Sequence, residues 1–401
     1  MANIFTSGSK AEKPRSDLRV KYTLTNRPLS ISIKSTVQNL YGKSIKNQAK
    51  AVCKELEIKV GKLEIDDFGA LPFVISARIE SAIKQAFPNL KLEALPKMKE
   101  FCFGNSSRER FRRSRLYLPG NQPKLMLNAG IHSADAIILD LEDSVSLSEK
   151  ADTRFVVRNA LRSLNFFGAE RMVRINQGKL GLIDLEYVIP HNVHLILIPK
   201  VESASDVLTI DTGIKEISQS CDRKSPVFLM PIIESGRGVL NALEIAEASK
   251  NIVAIAIGLE DYTADIGVSI TENGIESFFA RRMLVNAANA AGIQAIDTVY
   301  SDVSDEKNLR KSTRASKALG FVGKGCIHPR QIKPIHEEFA PSETEIEKAK
   351  KIVLAFKDAE KRGLGVVSLG SKMIDPPVVK RALRTIDLAI AANLLNNDWD
   401  N

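Results

Sequence analysis

From Arg113 onward, short apolar runs alternate with stretches of helical periodicity. The runs are RLYLPG, DAIILDLED, RMVRIN, HLILIPKVE, FLMPIIES, IVAIAIGLED, AIDTVYSD and GFVGKGCIHP, and each stops at a polar residue or Gly. Between most of them lie segments such as ADTRFVVRNALRSL, GVLNALEIAEAS and ESFFARRMLVNAANAAG, whose apolar residues recur at helical spacing. Near-continuous apolar strands separated by helices predict a parallel sheet covered on both faces. Eight such units are what a closed (β/α)8 TIM barrel requires. A doubly wound open sheet competes with it, but no GxGxxG follows a strand, so its dinucleotide-binding form has little support.

The first hundred residues read differently. TLTNRPLSISIKSTVQNLYGKSIKNQAKAVCKEL predicts a strand then a helix, and KLEIDDFGALPFVISARIESAIKQAF predicts a strand, a DDFGA turn and an amphipathic helix. PNLKLEALPKMKEFCFGNSS, with two prolines, a Gly and serines, reads as an exit linker. The expected division is a small α/β module over 1–100, a barrel over 101–340 and a C-terminal helical extension over 341–401 that carries the KMID segment.

Composition narrows the class. In 401 residues, 44% are hydrophobic and 26% charged, as in an ordinary soluble protein. No apolar run is long enough to span a bilayer and MANIFTSGSKAEK has no apolar signal core, which predicts a cytoplasmic protein without a membrane partner. Four scattered cysteines, with no CxxC, argue against a disulfide framework and a structural zinc site. The formal charge of +9 is spread along the chain except for RERFRRSR at 108–115, and no nucleic-acid motif accompanies that cluster. It reads as a solvated or interdomain segment, or as a seat for an anionic small molecule, since Arg113 and Arg115 directly precede a predicted strand.

In a barrel, the residues that end the strands gather at the C-terminal rim, where barrel enzymes build their sites. Glu234 and Asp261 would meet there, and two close carboxylates repel unless a cation sits between them. Oxygen ligands favour a hard ion, Mg²⁺; the alternative is that both acids are helix caps or surface groups. Asp140, Glu142 and Asp143 fall at the same rim, as does Arg174, a planar donor suited to a carboxylate. Acids at a metal beside such an arginine point to a 2-keto acid chelated through its keto and carboxyl oxygens, with an enolate stabilised as a carbon–carbon bond forms or breaks. Lys200 is a candidate Schiff-base nucleophile or a charged rim residue, and His328 a candidate rim or loop-packing residue. His132, His191, His194 and His336 carry no functional signal.

Together RRSRLYLPGNQP, DAIILDLEDSV, VRIN, LIPKVES, PIIESGRGVLNALEIA, AIGLEDYTADIG, GFVGKGCIHPRQI and GVVSLGSKMIDPPVVKRA resemble the citrate lyase beta subunit family, related to malyl-CoA and citramalyl-CoA lyases. The match runs in order over about residues 110–391. The resemblance implies a (β/α)8 barrel and Mg²⁺-dependent retro-Claisen cleavage of 3-hydroxy-acyl thioesters. It also implies Glu234 and Asp261 as metal ligands, Arg174 as the substrate-carboxylate arginine and Arg113 as the substrate-binding arginine before the first strand; Glu142, placed at the rim by its strand end, is a further candidate for substrate binding. Asp375 would be the acid that enters a neighbouring subunit's site to move a proton, which requires a homo-oligomer.

SIKSTVQNLYGKSIKNQAKAVCKEL and KLEIDDFGALPFVISARIESAIKQA resemble the citrate lyase acyl carrier subunit. That carrier bears a phosphoribosyl-dephospho-CoA arm on a serine within ES(G/S)D, where this chain reads EKPRSD. Aligned on Asp17, Arg15 takes the place of the modified serine. Either Ser16, or Ser9, takes the arm, or the module has lost its carrier role. Three functions follow as alternatives: a lyase for citryl-ACP or citryl-CoA, with a separate CoA-transferase (alpha) subunit as partner; a lyase or synthase for free malyl-CoA or citramalyl-CoA; and a noncatalytic assembly subunit.

Overall fold

The computed structural model describes residues 3–12, 14–361, 367–369 and 372–400. Its first unit is built from β1 (Asn3–Gly8), β2 (Leu18–Pro28), β3 (Ser30–Ser35), α1 (Gln38–Glu55), β4 (Val60–Asp67) and α2 (Pro72–Ala86). The sheet order is β1-β2-β4-β3, with β3 parallel to β4 and the other pairs antiparallel. The expected single strand before α1 is thus two, separated at Leu29. β1 had no counterpart among the expected elements.

The barrel follows as β5 (Ser114–Pro119), α3 (Pro123–Met126), β6 (Ala136–Asp140), α4 (Lys150–Ser163), β7 (Glu170–Arg174), α5 (Gly178–Val188) and β8 (Leu195–Ile198). It continues with α6 (Ala204–Ser220), β9 (Phe228–Ile233), α7 (Gly236–Leu240), α8 (Ala242–Glu247), β10 (Ala254–Ile257), α9 (Leu259–Asp265) and α10 (Ile275–Ala290). β11 (Gln294–Asp297), α11 (Glu306–Leu319), β12 (Gly323–Cys326) and α12 (Ile332–Phe339) complete it. β5 to β12 pair in sequence, all parallel, and β12 closes on β5. Every expected strand is present. The helix expected over GVLNALEIAEAS is divided in two at Asn241.

Strand alternation separates two apolar layers. Ile138, Met172, Leu197, Met230, Ile232, Ala256 and Ile296 fill the barrel interior, while Ile137, Leu139, Ile196 and Leu229 pack outward against helices.

The N-terminal unit shares that outer layer. α2 is buried along Phe73–Ile83, because its two faces meet the module's sheet on one side and α4 of the barrel on the other. This corrects the expected amphipathic helix. Its charged residues are the means of burial rather than a solvated face: Arg78 forks onto Asp17 at 3.1 and 2.9 Å, and Glu80 accepts from Arg158 of α4 at 2.6 and 3.1 Å. Paired and hydrogen-bonded, such charges tolerate the interior.

Residues 87–113 run from α2 to the barrel's N-terminal end, where His194, Arg171 and Asn192 all bond the Gly104 carbonyl. The basic run ends here too. Arg108 and Arg110 donate to backbone carbonyls, Arg112 forks onto buried Glu170, and Arg113 forks onto Asp135 at 2.9 Å.

α13 (Glu343–Lys361) and α14 (Pro376–Ala391) pair as a hairpin with a core of their own, Ile352, Val353, Ile374, Val379 and Ile386. Gly365, Val366, Gly370 and Ser371 of the motif GVVSLGSKMID lie outside the described residues. No helix among the described residues is long and apolar enough to cross a membrane. The four cysteines are free, with Cys221 exposed and Cys53, Cys102 and Cys326 buried.

Candidate active site

The C-terminal rim of the barrel holds a cavity of about 340 Å³ lined by Arg115, Tyr117, Asp140, Arg174, Glu234 and Asp261 among others. Glu234 follows the last residue of β9, and Asp261 stands in the first turn of α9, one strand over. Asp140 and Arg174 end β6 and β7. The barrel topology therefore brings together four residues that are far apart in the chain.

Glu234 is only 7% exposed. Its Oε2 accepts the backbone N–H of Lys200 at 2.9 Å. Lys200 reaches this position with a left-handed backbone, φ 51°, which turns its amide inward at the end of β8. Burial, reinforced by the nearby Asp261 carboxylate, pushes the Glu234 carboxyl up to about 8. Two carboxylates so placed repel unless a cation stands near both. Among the described residues no cluster of three or more His, Cys, Asp or Glu could hold a metal. The two carboxylates suit Mg²⁺, which often takes one or two protein carboxylates and leaves its other positions to water and substrate.

Lys200 Nζ partly supplies the missing charge, 3.2 Å from Asp261 and 3.8 Å from Glu142 and Asp143. Burial works against its ammonium, but Asp261, Asp143 and Glu142 together hold it above the ordinary lysine range. A Schiff-base nucleophile must be neutral, so this geometry fits a charged rim residue instead.

Arg174 is more committed than the sequence suggested. Its Nε and Nη2 fork onto Asp140, each at 2.7 Å, and its Nη1 stands 3.0 Å from Glu142 and 3.4 Å from Asp143. Tyr117 lies under the guanidinium, 5.3 Å from its ring centre. Burial opposes the charge, yet Asp140 raises the arginine above its usual range, while Asp140 itself is lowered by that fork against its own burial. Glu142 is raised by burial against the pull of Arg174, with Asp143 adding to the rise, and its Oε1 accepts from Gln177 at 3.1 Å. Nη1 is the end that Asp140 does not take, and it is shared with Glu142 and Asp143, so a ligand carboxylate binding there joins or displaces those two.

Five candidate residues are not brought here. Arg113 lies at the opposite, N-terminal end of the barrel, consumed by Asp135; its charge serves the fold there. Asp375 caps α14 by accepting from the Val378 amide at 3.1 Å, and is not among the residues lining the cavity. Ser16 sits in the N-terminal module with φ 54°, half-buried, its amide bonded to Phe68 O beside the buried Asp17. Ser9 instead lines a cleft of about 990 Å³ between the module and the loop after β6, where Lys10 bonds Ser148. His328 caps the short turn after β12 by accepting from Arg330, a loop role.

Arg115 was passed over as a site residue in its own right. The period-2 alternation of β5 carries the signal: positions 115, 117 and 119 share the face that lines the cavity, while Leu116 and Leu118 pack outward.

The model of the HpcH/HpaI aldolase/citrate lyase family matches residues 113–329, and that of the malonate decarboxylase delta subunit (MdcD) matches residues 14–86. Citrate lyase subunit beta of Haemophilus influenzae is 42% identical over 283 residues, 70% of this chain and 97% of that protein. The mitochondrial citramalyl-CoA lyase of Homo sapiens is 31% identical, over 77% of this chain and 95% of that one. Among solved structures, CitE from Mycobacterium tuberculosis in complex with magnesium, acetoacetate and coenzyme A superposes with a TM-score of 0.58 at 28% identity, over 71% of this chain and 99% of that one.

Proposed function

Because the chain belongs to the HpcH/HpaI aldolase/citrate lyase family, we propose that it is a Mg²⁺-dependent lyase that splits a citryl thioester into oxaloacetate and an acetyl thioester. The observation that carries this reading is the Glu234–Asp261 pair, a buried carboxylate and a part-exposed one following neighbouring strands, set beside an arginine that Asp140 grips with a two-point fork. When bound, Mg²⁺ would supply the Lewis acidity that favours the departing 2-keto acid.

The protein's part is orientation and proton transfer. Glu234 and Asp261 fix the seat of the cation. Arg174 offers its Nη1 edge to the carboxylate of the 2-keto acid, with Glu142 beside it, and the Asp140 fork keeps that edge from turning away. Asp375, carried on the hairpin, protonates the acetyl enolate in the site of a neighbouring copy, so the active form is a homo-oligomer. The N-terminal module is the carrier: Ser16, or Ser9, bears a phosphoribosyl-dephospho-CoA arm that presents the citryl group, and a CoA-transferase subunit supplies it. Docking through α2 keeps such an arm close to the barrel and raises its local concentration.

A second reading has one observation in its favour. The module is clamped to the barrel through the buried Arg158–Glu80 pair, and Arg15 stands where a modified serine would be, which suits a docking piece on a lyase for free CoA thioesters. Intact mass and peptide mapping of residues 1–30 from the native host separate the two. A mass excess matching the arm on Ser16 or Ser9 supports the carrier reading, and an unmodified N-terminus in a host that makes the arm favours free CoA thioesters. For either, Glu234→Gln abolishes metal-dependent cleavage; an unaffected rate would discard this site.

A further inference from the structure

Arg115 poses a question that the proposed mechanism does not use. It is 2% exposed on the inner face of β5 and lines the cavity below Asp140 and Glu234. Its Nη1 donates to the Met230 sulfur at 3.0 Å, a weak acceptor, and its Nε meets no acceptor among the described residues. Equally buried arginines are treated otherwise: Arg78, Arg112 and Arg158 each clasp a carboxylate. Arg171, also buried, spends its donors on the Phe101, Asn192 and Gly104 carbonyls.

Among the described residues no counter-charge comes from the neighbours. The groups that most favour its charge are the Tyr117 phenol, which also hydrogen-bonds it, and the Cys326 thiol, and burial raises both, Cys326 up to about 12, so both stay neutral at physiological pH. A guanidinium cannot shed its proton in a protein. A buried, unpaired cation facing an open cavity is a site prepared for an anion.

We propose that Arg115 seats a second carboxylate of the substrate, carried through a methylene on the hydroxyl-bearing carbon, and so selects a thioester that yields a 2-keto dicarboxylate. The inference rests on the lyase reading above and narrows its substrate. In a citryl thioester the hydroxyl-bearing carbon carries one carboxylate for the metal and Arg174, and a carboxymethyl group that can reach deeper. The corresponding group is a methyl in a citramalyl thioester and a hydrogen in a malyl thioester. Either would leave Arg115 unpaired, so the site rejects them through the group it fails to satisfy.

Titration calorimetry of the full-length protein with Mg²⁺ tests this with oxaloacetate and pyruvate, which differ by that carboxylate. Wild type prefers oxaloacetate. Arg115→Met lowers the oxaloacetate-to-pyruvate affinity ratio at least tenfold, and Arg115→Lys, which keeps the charge, retains part of the preference. The melting temperature of ligand-free Arg115→Met stays level or rises, because an apolar side chain replaces an unpaired charge. An unchanged ratio in Arg115→Met overturns the proposal, as does a fall in its melting temperature, which would show a structural role. Wild-type protein that binds neither keto acid would instead sink the lyase reading itself, and this inference with it.

Discussion

Gly258 lies so close beneath Glu234 that a Cβ built on it would stand 2.4 Å from Oε1 and 2.8 Å from Cγ. The backbone there is ordinary extended chain, φ −110°, so the glycine is required for space and not for conformation. β10 is thereby allowed to approach the carboxylate that β9 delivers.

Gly258→Ala should therefore leave the barrel folded while displacing Glu234 from the metal seat. The expected loss of Mg²⁺ affinity is about 10- to 100-fold, the scale on which residues supporting a metal ligand act. Calorimetric titration with Mg²⁺ checks it; wild-type affinity would show that Glu234 has room the structure does not give it.

The Glu234 carboxyl gives a pH prediction for the metal-free protein. Its folded value, about 8, lies above the ordinary glutamate value of 4.5, so the neutral form is favoured by folding. The sign follows: this group costs no stability below about 4.5, and its cost grows as pH rises, reaching its full size above 8. At pH 9, Glu234→Gln should be more stable than wild type in chelator by a few kcal/mol, on the order set by a shift of several pH units. Added Mg²⁺ should reverse the ranking. Denaturant unfolding in chelator and in Mg²⁺ would find equal stabilities if the site were not a strained carboxylate pair.

At acid pH the limit comes from elsewhere. His191 and His194 are buried, and burial, with Arg158 and Arg162 beside the first and Arg171 beside the second, lowers each to about 3 from 6.5. The unfolded chain thus binds protons below 6.5 that the folded chain refuses, and stability falls as pH drops from 6.5 toward 3. His194→Gln should flatten that slope, measured as the unfolding midpoint between pH 7 and 4. A slope identical to wild type would mean that His194 is solvated.

The eight barrel strands and the carboxylates at their ends were legible because an apolar run with a polar stop survives whatever packs around it. The two faces of α2 were not. Arg78 and Glu80 look like a solvated stripe in sequence, and only the presence of Asp17 on one side and Arg158 on the other turns them into buried links. The basic run misled in a related way: Arg113 and Arg115 are two residues apart, yet one falls below the strand beside Asp135 and the other within the barrel, a difference set by where β5 begins. Likewise, that Asp375 is an N-cap was readable from the following prolines, but the reach into another copy proposed for it would be a property of an assembly, which one chain does not display.

The buried Arg158–Glu80 link makes the N-terminal module part of the enzyme's stability. Arg158→Met leaves Glu80 and Glu93 without their main partner, and removing one member of a buried pair costs about 3–5 kcal/mol. Chemical denaturation should show one lowered transition for the whole chain. A module that melts separately, with the barrel unchanged, would mean that α2 and α4 are not one core.

The most direct test of the account is the release of 2-keto acid from citryl-CoA and from citramalyl-CoA by the full-length protein, each with Mg²⁺ and with chelator. Oxaloacetate is expected from the citryl thioester in Mg²⁺ only, with little or no pyruvate from the citramalyl thioester. Cleavage that persists in chelator, or a faster release of pyruvate, would contradict it.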